Sequence, residues 1–214
     1  MDEEISIIDS KTRNEKIKLF ILNNKKKIIS LFVIIIIILL SFYSFQIYKD
    51  KNKKKLSEKY NESVIQYQNG NEIQIVDTMR EIIKDKDTTY SPLALYFLVD
   101  NQLIKDRNEI NDLFDILINK TSLEIEIKNL IIYKKALYNA DQINENDLLN
   151  ILKPIINSKS VWKSHALYLI AEYFYSNNEK QKAKDFFRKI IETENANQDI
   201  IKETQKRLNR DLSE

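Results

Sequence analysis

The chain contains a run of 21 residues without a formal charge, from Ile28 to Tyr48, which reads IISLFVIIIIILLSFYSFQIY. At a rise of about 1.5 Å per residue, this run forms a helix of about 30 Å, the thickness of a bilayer's hydrocarbon core. Phe42, Tyr43, Phe45 and Tyr48 lie near its end, where amphipathic rings suit the headgroup layer. The sequence therefore predicts a transmembrane anchor that begins at Ile28 and ends at Tyr48.

A cleaved secretory signal peptide is the alternative explanation of this run. Three features count against it: residues 1–27 precede the run, the run exceeds the usual h-region of about 7–15 residues, and no small-x-small cleavage site follows. Residues 41–48 read SFYSFQIY, which is bulky and aromatic where a signal peptidase requires small side chains. We therefore expect a retained anchor.

The charges beside the anchor do not select its orientation. Seven basic residues lie within about 17 residues before the run, and six lie within the same distance after it, so the positive-inside rule gives no preference. A cytoplasmic N-terminus is an expectation from single-span architecture. The expected organisation is a cytoplasmic tail (1–27), an anchor (28–48) and a domain (49–214).

Composition restricts the class of that domain. Residues 49–214 carry 27 basic and 27 acidic residues, so no overall field attracts nucleic acid. The chain has no cysteine, which excludes disulfides, thiol catalysis and thiolate metal sites. One glycine and two prolines are too few for the turns of a strand-rich domain, whereas helices joined by short polar turns need few. We expect an all-α fold.

The first predicted helices follow directly after the anchor. Leu56, Tyr60, Val64 and Tyr67 have helical spacing, so the anchor helix is expected to continue into the domain and to end at Gly70. The next helix is predicted to have an apolar face formed by Ile73, Val76, Met79 and Ile83. The helix after it is predicted to start at Ser91-Pro92, with Ser91 as its cap. Its apolar residues include Leu93, Tyr96 and Phe97.

Helix–turn–helix units recur at a fixed period. Gly70, Asp106, Gln142 and Asn178 mark the turns within four units, and each lies 36 residues after the last. The later helices are predicted at about 110–117, 123–138, 147–156, 160–175 and 180–191. A period of this size with two helices per unit indicates an α-helical repeat array, or α-solenoid.

The fourth unit resembles the tetratricopeptide repeat consensus. Its signature residues are Leu167, Ile170, Ala171, Phe174, Ala183, Phe187 and Ile190. Small residues at 171 and 183 suit the place where two antiparallel helices cross, and large residues on either side fill the groove. The unit departs from the consensus at Leu167, where an aromatic is expected, and at Asn195, near the usual proline.

The whole chain is similar to the YfgM-like proteins, which are ancillary subunits of the SecYEG translocon. The segments that carry the resemblance read IIDSKTRNEKIKLFILNNKKKII before the membrane and SVWKSHALYLIAEYFYSNNEKQKAKDFFRKII near the end, the latter similar to the α-proteobacterial branch. The resemblance covers about residues 5–210. It implies an inner-membrane protein whose repeat domain lies in the periplasm and contacts the translocon and periplasmic chaperones. It carries over no catalytic residue.

The residues that could carry chemistry are few. His165 is the only histidine and has no carboxylate cluster of ligand spacing nearby, so a structural or solvent-facing role is expected. One glycine cannot form a phosphate-binding loop. Asp141, Glu145 and Asp147 lack the spacing of a calcium loop and suit a helix start. We expect no catalytic, cofactor-binding or metal-binding site, and a packing role for Trp162.

A protein-interaction module is therefore the favoured function. Stacked helix pairs offer a surface for peptides or helices of other proteins, and six aromatic residues are candidates for either core or groove: Tyr90, Tyr96, Tyr133, Tyr138, Tyr168 and Phe174. Assistance to protein export is the leading hypothesis, and a scaffold of the envelope or of cell division is the alternative. An enzyme or small-molecule sensor is the least favoured class. The sequence does not indicate whether the domain self-associates.

Overall fold

A computed structural model describes residues 15–16, 18–70 and 72–212, without the side chains of residues 72 and 73. All regular structure in these ranges is α-helical, which confirms the all-α prediction. Most of the predicted N-terminal tail (residues 1–14 and 17) lies outside the described residues. The chain divides into two compact units, Met1–Lys55 and Leu56–Glu214.

The longest helix, α1, runs from Lys25 to Gln68 and contains the whole apolar run. Residues 15–16 and 18–23 are also helical, and Asn24 lies at a turn before α1. Isoleucine favours strands in water, but a helix satisfies every backbone hydrogen bond within its own segment, as a lipid environment requires. As predicted, this helix continues beyond the apolar run, and it ends at the turn that contains Gly70.

Eight further helices follow α1 among the described residues. They are α2 (Glu72–Lys84), α3 (Tyr90–Asp100), α4 (Arg107–Lys120), α5 (Ile125–Asn139), α6 (Glu145–Ile156), α7 (Lys163–Ser176), α8 (Lys180–Ile191) and α9 (Gln198–Arg210).

The four predicted turns lie between α1 and α2, α3 and α4, α5 and α6, and α7 and α8. Gly70 and Asn178 both adopt a positive φ, of 88° and 62°. This conformation costs a glycine little and an asparagine less than most residues. Asp106 instead caps α4, since its carboxylate accepts a hydrogen bond from the Asn108 backbone N–H at 2.9 Å. The 36-residue period is thus a period in the positions of the turns. The residues that form these turns differ in their local role: some adopt a positive φ and one caps a helix.

The helices from α2 to α9 pack in chain order. Each packs against the helix that follows it, and the other substantial contacts join helices two apart: α2 with α4, α5 with α7, and α7 with α9. Contacts limited to near neighbours in the chain are the pattern of a stack of helical pairs.

Two hydrophobic clusters fill the second compact unit, from residue 56 onward, which we call the helical unit. The first extends from Leu56 to Ile131, and the second from Ile132 to Leu212. Ile131 and Ile132 are adjacent residues of α5, so this helix contributes to both clusters. Each fully buried aliphatic or aromatic side chain contributes about 1.5–3 kcal/mol to stability.

The predicted cap of α3 is wrong. Ser91 does not cap α3: Asp87 accepts from the backbone N–H groups of Thr89 and Tyr90, each at 2.8 Å. The Ser91 hydroxyl is buried and donates to the Ile82 carbonyl at 2.6 Å. In α2, Met79 and Ile83 of the predicted face are buried and Val76 packs against the core, while the side chain of Ile73 lies outside the described residues. Ile75 and Ile82 are buried as well.

The apolar residues of α3 differ in their burial. Leu93 is 40% exposed, whereas Ala94, Leu95 and Leu98 are fully buried. Because α3 is apolar on almost all sides, its periodicity selects no face. The packing of α2 and α4 against α3 decides which side is buried.

Candidate functional site

No described residue of the protein covers the apolar run. Sixteen large hydrophobic side chains between Ile29 and Tyr48 are exposed, each by 45% or more, and none of the most apolar window is buried. Of the two predicted anchor boundaries, Ile28 is partly covered and Tyr48 is 68% exposed. By length and composition this part of α1 fits a membrane span.

The extent of this exposed apolar surface explains why the run needs an apolar environment. Soluble monomers rarely expose a contiguous apolar patch larger than a few hundred square ångströms, and larger patches mark membrane or protein contacts. In the run from Ile29 to Tyr48 the exposed side chains lie on every side of the helix. A protein partner covers one side, whereas lipid surrounds the helix.

The seven signature residues of the fourth unit lie in the core between α7 and α8. Leu167 and Phe174 are 4% and 1% exposed, and the other five are fully buried. These two helices form the most extensive helix contact of the unit, with Ala171 and Ala183 fully buried within it. The signature residues therefore position helices and offer no atoms to a partner.

The six aromatic candidates also pack against the two cores. Phe174 is buried, and Tyr90, Tyr96, Tyr133, Tyr138 and Tyr168 are partly buried. Tyr96 lies under the Lys134 ammonium, 4.5 Å from its ring centroid. Its hydroxyl has no hydrogen-bond partner among the residues that the structure describes, and burial raises its pKa. A buried phenol of this kind stays neutral and serves packing.

Trp162 and His165 form an aromatic cluster with Tyr133. The Trp162 ring stacks on Tyr133 at 6.0 Å and lies 5.1 Å from the imidazole of His165. Burial lowers the pKa of His165, and this outweighs the opposing effect of a backbone hydrogen bond at Val161. The imidazole is thus held neutral among rings, at the start of α7, where it contributes packing between α5 and α7.

A cavity of about 370 Å³ lies between the end of α5 and α7. It is lined by Ala140, Asp141, Ile143, Leu169, Glu172, Tyr173, Ser176 and Asn177. The Tyr173 hydroxyl donates to the Ile143 carbonyl at 3.1 Å and holds the α5–α6 turn beside the opening. On its other side, Glu172 accepts two hydrogen bonds from Arg207 of α9, at 2.8 and 2.6 Å.

The contribution of α9 was not predicted from the sequence. Arg207 also pairs with Asp211 at 2.9 Å and lies over the Tyr175 ring at 5.1 Å. These contacts raise the pKa of Arg207, first through the hydrogen bond to Asp211. A sequence signal exists: Asn197 caps the helix, and Ile200, Thr204 and Leu208 recur every four residues.

The exposed apolar side chains of the helical unit are unevenly distributed. Among the described side chains from residue 56 to 212, the large exposed hydrophobics are Ile65, Leu93, Ile125, Ile127, Leu137, Val161 and Ile191. Six of the seven lie on, or directly before, the first helix of a pair: α1, α3, α5 or α7. We call these six residues the first-helix surface. It is the candidate surface for a protein partner.

The acidic turn before α6 has a structural arrangement. Asn144 accepts from the Asp147 backbone N–H at 3.0 Å, and Glu145 forms an ion pair with Lys182 of α8 at 2.8 Å. Asp141 lines the cavity described above. Within the described part of the chain, no three His, Asp or Glu side chains are grouped so that they could hold a metal ion.

Comparisons of the chain with protein-family models, with curated proteins and with solved structures found no significant match.

Proposed function

We propose that this protein is a membrane-anchored protein-interaction module that assists protein export or folding at the Sec translocon. In this proposal, residues 28–48 span the bacterial inner membrane, the N-terminus is cytoplasmic, and the unit from residue 56 lies in the periplasm. The partners are the translocon and periplasmic chaperones. The module acts by binding and performs no catalysis.

One observation carries the anchoring part of the proposal. The sixteen exposed hydrophobic side chains between Ile29 and Tyr48 surround the helix, while the unit from residue 56 has two hydrophobic clusters of its own. The apolar run is therefore not needed to complete that unit's core. The free energy gained by removing the run from water is available for insertion into the membrane instead.

The mechanism is colocation. A tethered binding surface meets membrane-bound partners at a high effective concentration, so a modest intrinsic affinity suffices. The first-helix surface supplies exposed apolar contacts, such as Leu93 (40% exposed) and Leu137 (52% exposed). The choice of the translocon and its chaperones as partners is supported by the resemblance to the YfgM-like proteins and to tetratricopeptide repeats.

Site-specific photocrosslinking in native membranes tests the partner. A photocrosslinking amino acid replaces Leu137 or Val161 on the first-helix surface, and a matched variant carries it at Ile191 of α8, which is 45% exposed. We expect translocon subunits and periplasmic chaperones to be captured from positions 137 and 161 and not from 191. Capture of cell-division or envelope-assembly proteins instead would favour the scaffold alternative and refute the export proposal.

A labelling experiment tests the orientation. The chain has no cysteine, so Asn23→Cys and Lys159→Cys each provide a unique and exposed thiol. We expect a membrane-impermeant maleimide to label position 159 in cells with a permeabilised outer membrane, and to label position 23 only after lysis. The reverse pattern would place the helical unit in the cytoplasm and contradict the proposal.

A further inference from the structure

We propose that Lys49, Lys51, Lys53, Lys54 and Lys55 bind the headgroups of anionic phospholipids. We call these five residues the lysine girdle. The inference rests on the proposed function, because it requires residues 28–48 to span a bilayer. It adds the class of lipid that the protein selects around its anchor.

The first observation is that the charges of the lysine girdle are free. Every residue from 49 to 55 is exposed, and none of the five lysines has an ion-pair partner among the described residues. Asp50 is the only acidic residue in this segment, so its net charge is +4.

Several lysines elsewhere in the described chain do form ion pairs. Lys59, four residues after the girdle, pairs with Glu81 at 2.9 Å. Lys182 and Lys206 each pair with a glutamate three residues before them, at 2.8 and 2.6 Å. These lysines are neutralised by nearby carboxylates, whereas the charges of the lysine girdle remain available to an external anion.

The second observation is the distribution of the lysines around the helix. At about 100° per residue, and counted from Lys49, they point in directions of about 0°, 200°, 40°, 140° and 240°. The largest sector without a lysine is about 120°. A nucleic acid or a protein would contact one side of a helix. A lipid leaflet surrounds it, so charge on all sides fits lipid headgroups.

The third observation is the position of the girdle along the axis. It begins one residue after Tyr48, and its last residue lies about 10 Å further along the helix. The headgroup region on each side of the hydrocarbon core is about 5–8 Å thick, and lysine side chains reach back along the helix towards it. All five ammonium groups can therefore contact phosphate groups of one leaflet.

The chemistry of recognition is electrostatic. Ammonium groups near a surface of anionic lipid each contribute about fivefold to binding, and the attraction falls off within a Debye length. Headgroups with a net negative charge, such as phosphatidylglycerol, satisfy this requirement. Zwitterionic phosphatidylcholine carries the same phosphate without the net charge, so it is the matched control lipid.

Energy transfer in lipid nanodiscs tests the inference with the full-length protein. Asn52→Cys places a single donor dye within the girdle, since the chain has no other thiol. The nanodiscs contain phosphatidylglycerol and phosphatidylcholine, and an acceptor dye is attached to one lipid or the other. We expect the phosphatidylglycerol acceptor to give about twofold to threefold more transfer, the Boltzmann factor for a monovalent headgroup in a screened potential of roughly one kT.

Two matched triple variants isolate the girdle. Lys53, Lys54 and Lys55 are replaced by glutamine in one, and Lys25, Lys26 and Lys27, at the opposite end of the apolar run, in the other. We expect the transfer ratio to approach one in the first variant and to remain unchanged in the second. Equal loss in both variants would show that total charge matters and would overturn the inference.

Further arms separate the possible sources of the signal. Excess soluble glycerol phosphate at matched ionic strength should leave the transfer ratio unchanged. If it abolished the preference for phosphatidylglycerol, the segment would contain a site for a free phosphate. Displacement of the signal by a single-stranded oligonucleotide would show a nucleic-acid site and would likewise overturn the inference. A protein that fails to enter nanodiscs refutes the proposed anchor, whereas an inserted protein with a ratio of one refutes only the lysine girdle.

Discussion

Two apolar helical segments of this chain have opposite surroundings. In α3, Ala94, Leu95 and Leu98 are fully buried between neighbouring helices, whereas in α1, Ile36, Ile37 and Ile38 are 45%, 57% and 60% exposed. With 11 residues, α3 spans about 16 Å and is too short to cross a bilayer. The difference shows that length and available neighbours, rather than apolarity, decide whether a helix belongs to a core or to a membrane.

The largest expected effect comes from charges at the centre of the apolar run. The double change Ile35→Lys and Ile37→Lys is expected to cost about 5–7 kcal/mol of membrane insertion, since a lysine at the centre of a span costs about 2.5–3.5 kcal/mol. Carbonate extraction of membranes should release this variant. Ile29→Lys with Ile47→Lys is the matched control, because lysines near the ends reach the headgroups, and it should stay bound. Equal release of both variants would contradict the anchor.

The corresponding change in α3 has a different consequence. Leu95→Lys places an unpaired charge in the core and is expected to cost about 3–5 kcal/mol of folding stability, while membrane retention is unchanged. Urea unfolding of the full-length protein in detergent, followed by Trp162 fluorescence, measures the loss. Leu93→Lys, two residues away and 40% exposed, should cost less than about 0.5 kcal/mol. A similar loss at both positions would refute the assignment of the buried face.

The ion pair that joins α9 to α7 is expected to have a smaller effect. Arg207 and Glu172 are each 27% exposed, so Arg207→Ala is expected to cost about 1–2 kcal/mol of stability. Lys206→Ala removes a neighbouring and more exposed ion pair with Glu203 and should cost less than about 1 kcal/mol. The same urea experiment compares them. A neutral Arg207 variant would show that α9 does not stabilise the stack through this contact.

The smallest expected effect is a pH dependence from His165. Burial lowers its pKa in the folded protein, so at mildly acidic pH the unfolded chain binds more protons than the folded one. Stability should therefore be complete above the unfolded pKa of about 6.5 and should decline as pH falls through the folded pKa. Urea midpoints between about pH 7.5 and 5.5 measure this decline. His165→Gln should flatten it, and an unchanged slope would contradict the role of burial.

The apolar run of α1 and the helix α3 also differ in how far the sequence alone predicts their surroundings. The apolar run from Ile28 to Tyr48 and the turns at Gly70 and Asn178 depend on local chemistry: run length, and residues that tolerate a positive φ. Such features are readable from one sequence. The buried face of α3 depends on which helices surround it, so the sequence alone does not decide that Leu95 is buried and Leu93 is exposed.

Contacts between distant residues leave even less trace in the sequence. The hydrogen bonds from Arg207 to Glu172 join positions 35 residues apart, and neither residue belongs to a motif. The burial of His165 likewise follows from the packing of Tyr133 and Trp162 around it. The first-helix surface emerges only when exposure is known for every pair of helices.

Hydrogen exchange measured along α1 is the most direct test of whether residues 28–48 span a membrane. The full-length protein in lipid nanodiscs is exchanged into heavy water, and the amides of residues 28–48 are compared with those of residues 49–55, which belong to the same helix. We expect residues 28–48 to exchange far more slowly, because the hydrocarbon core excludes water from their backbone. Equal exchange in the two segments would contradict a membrane-spanning anchor.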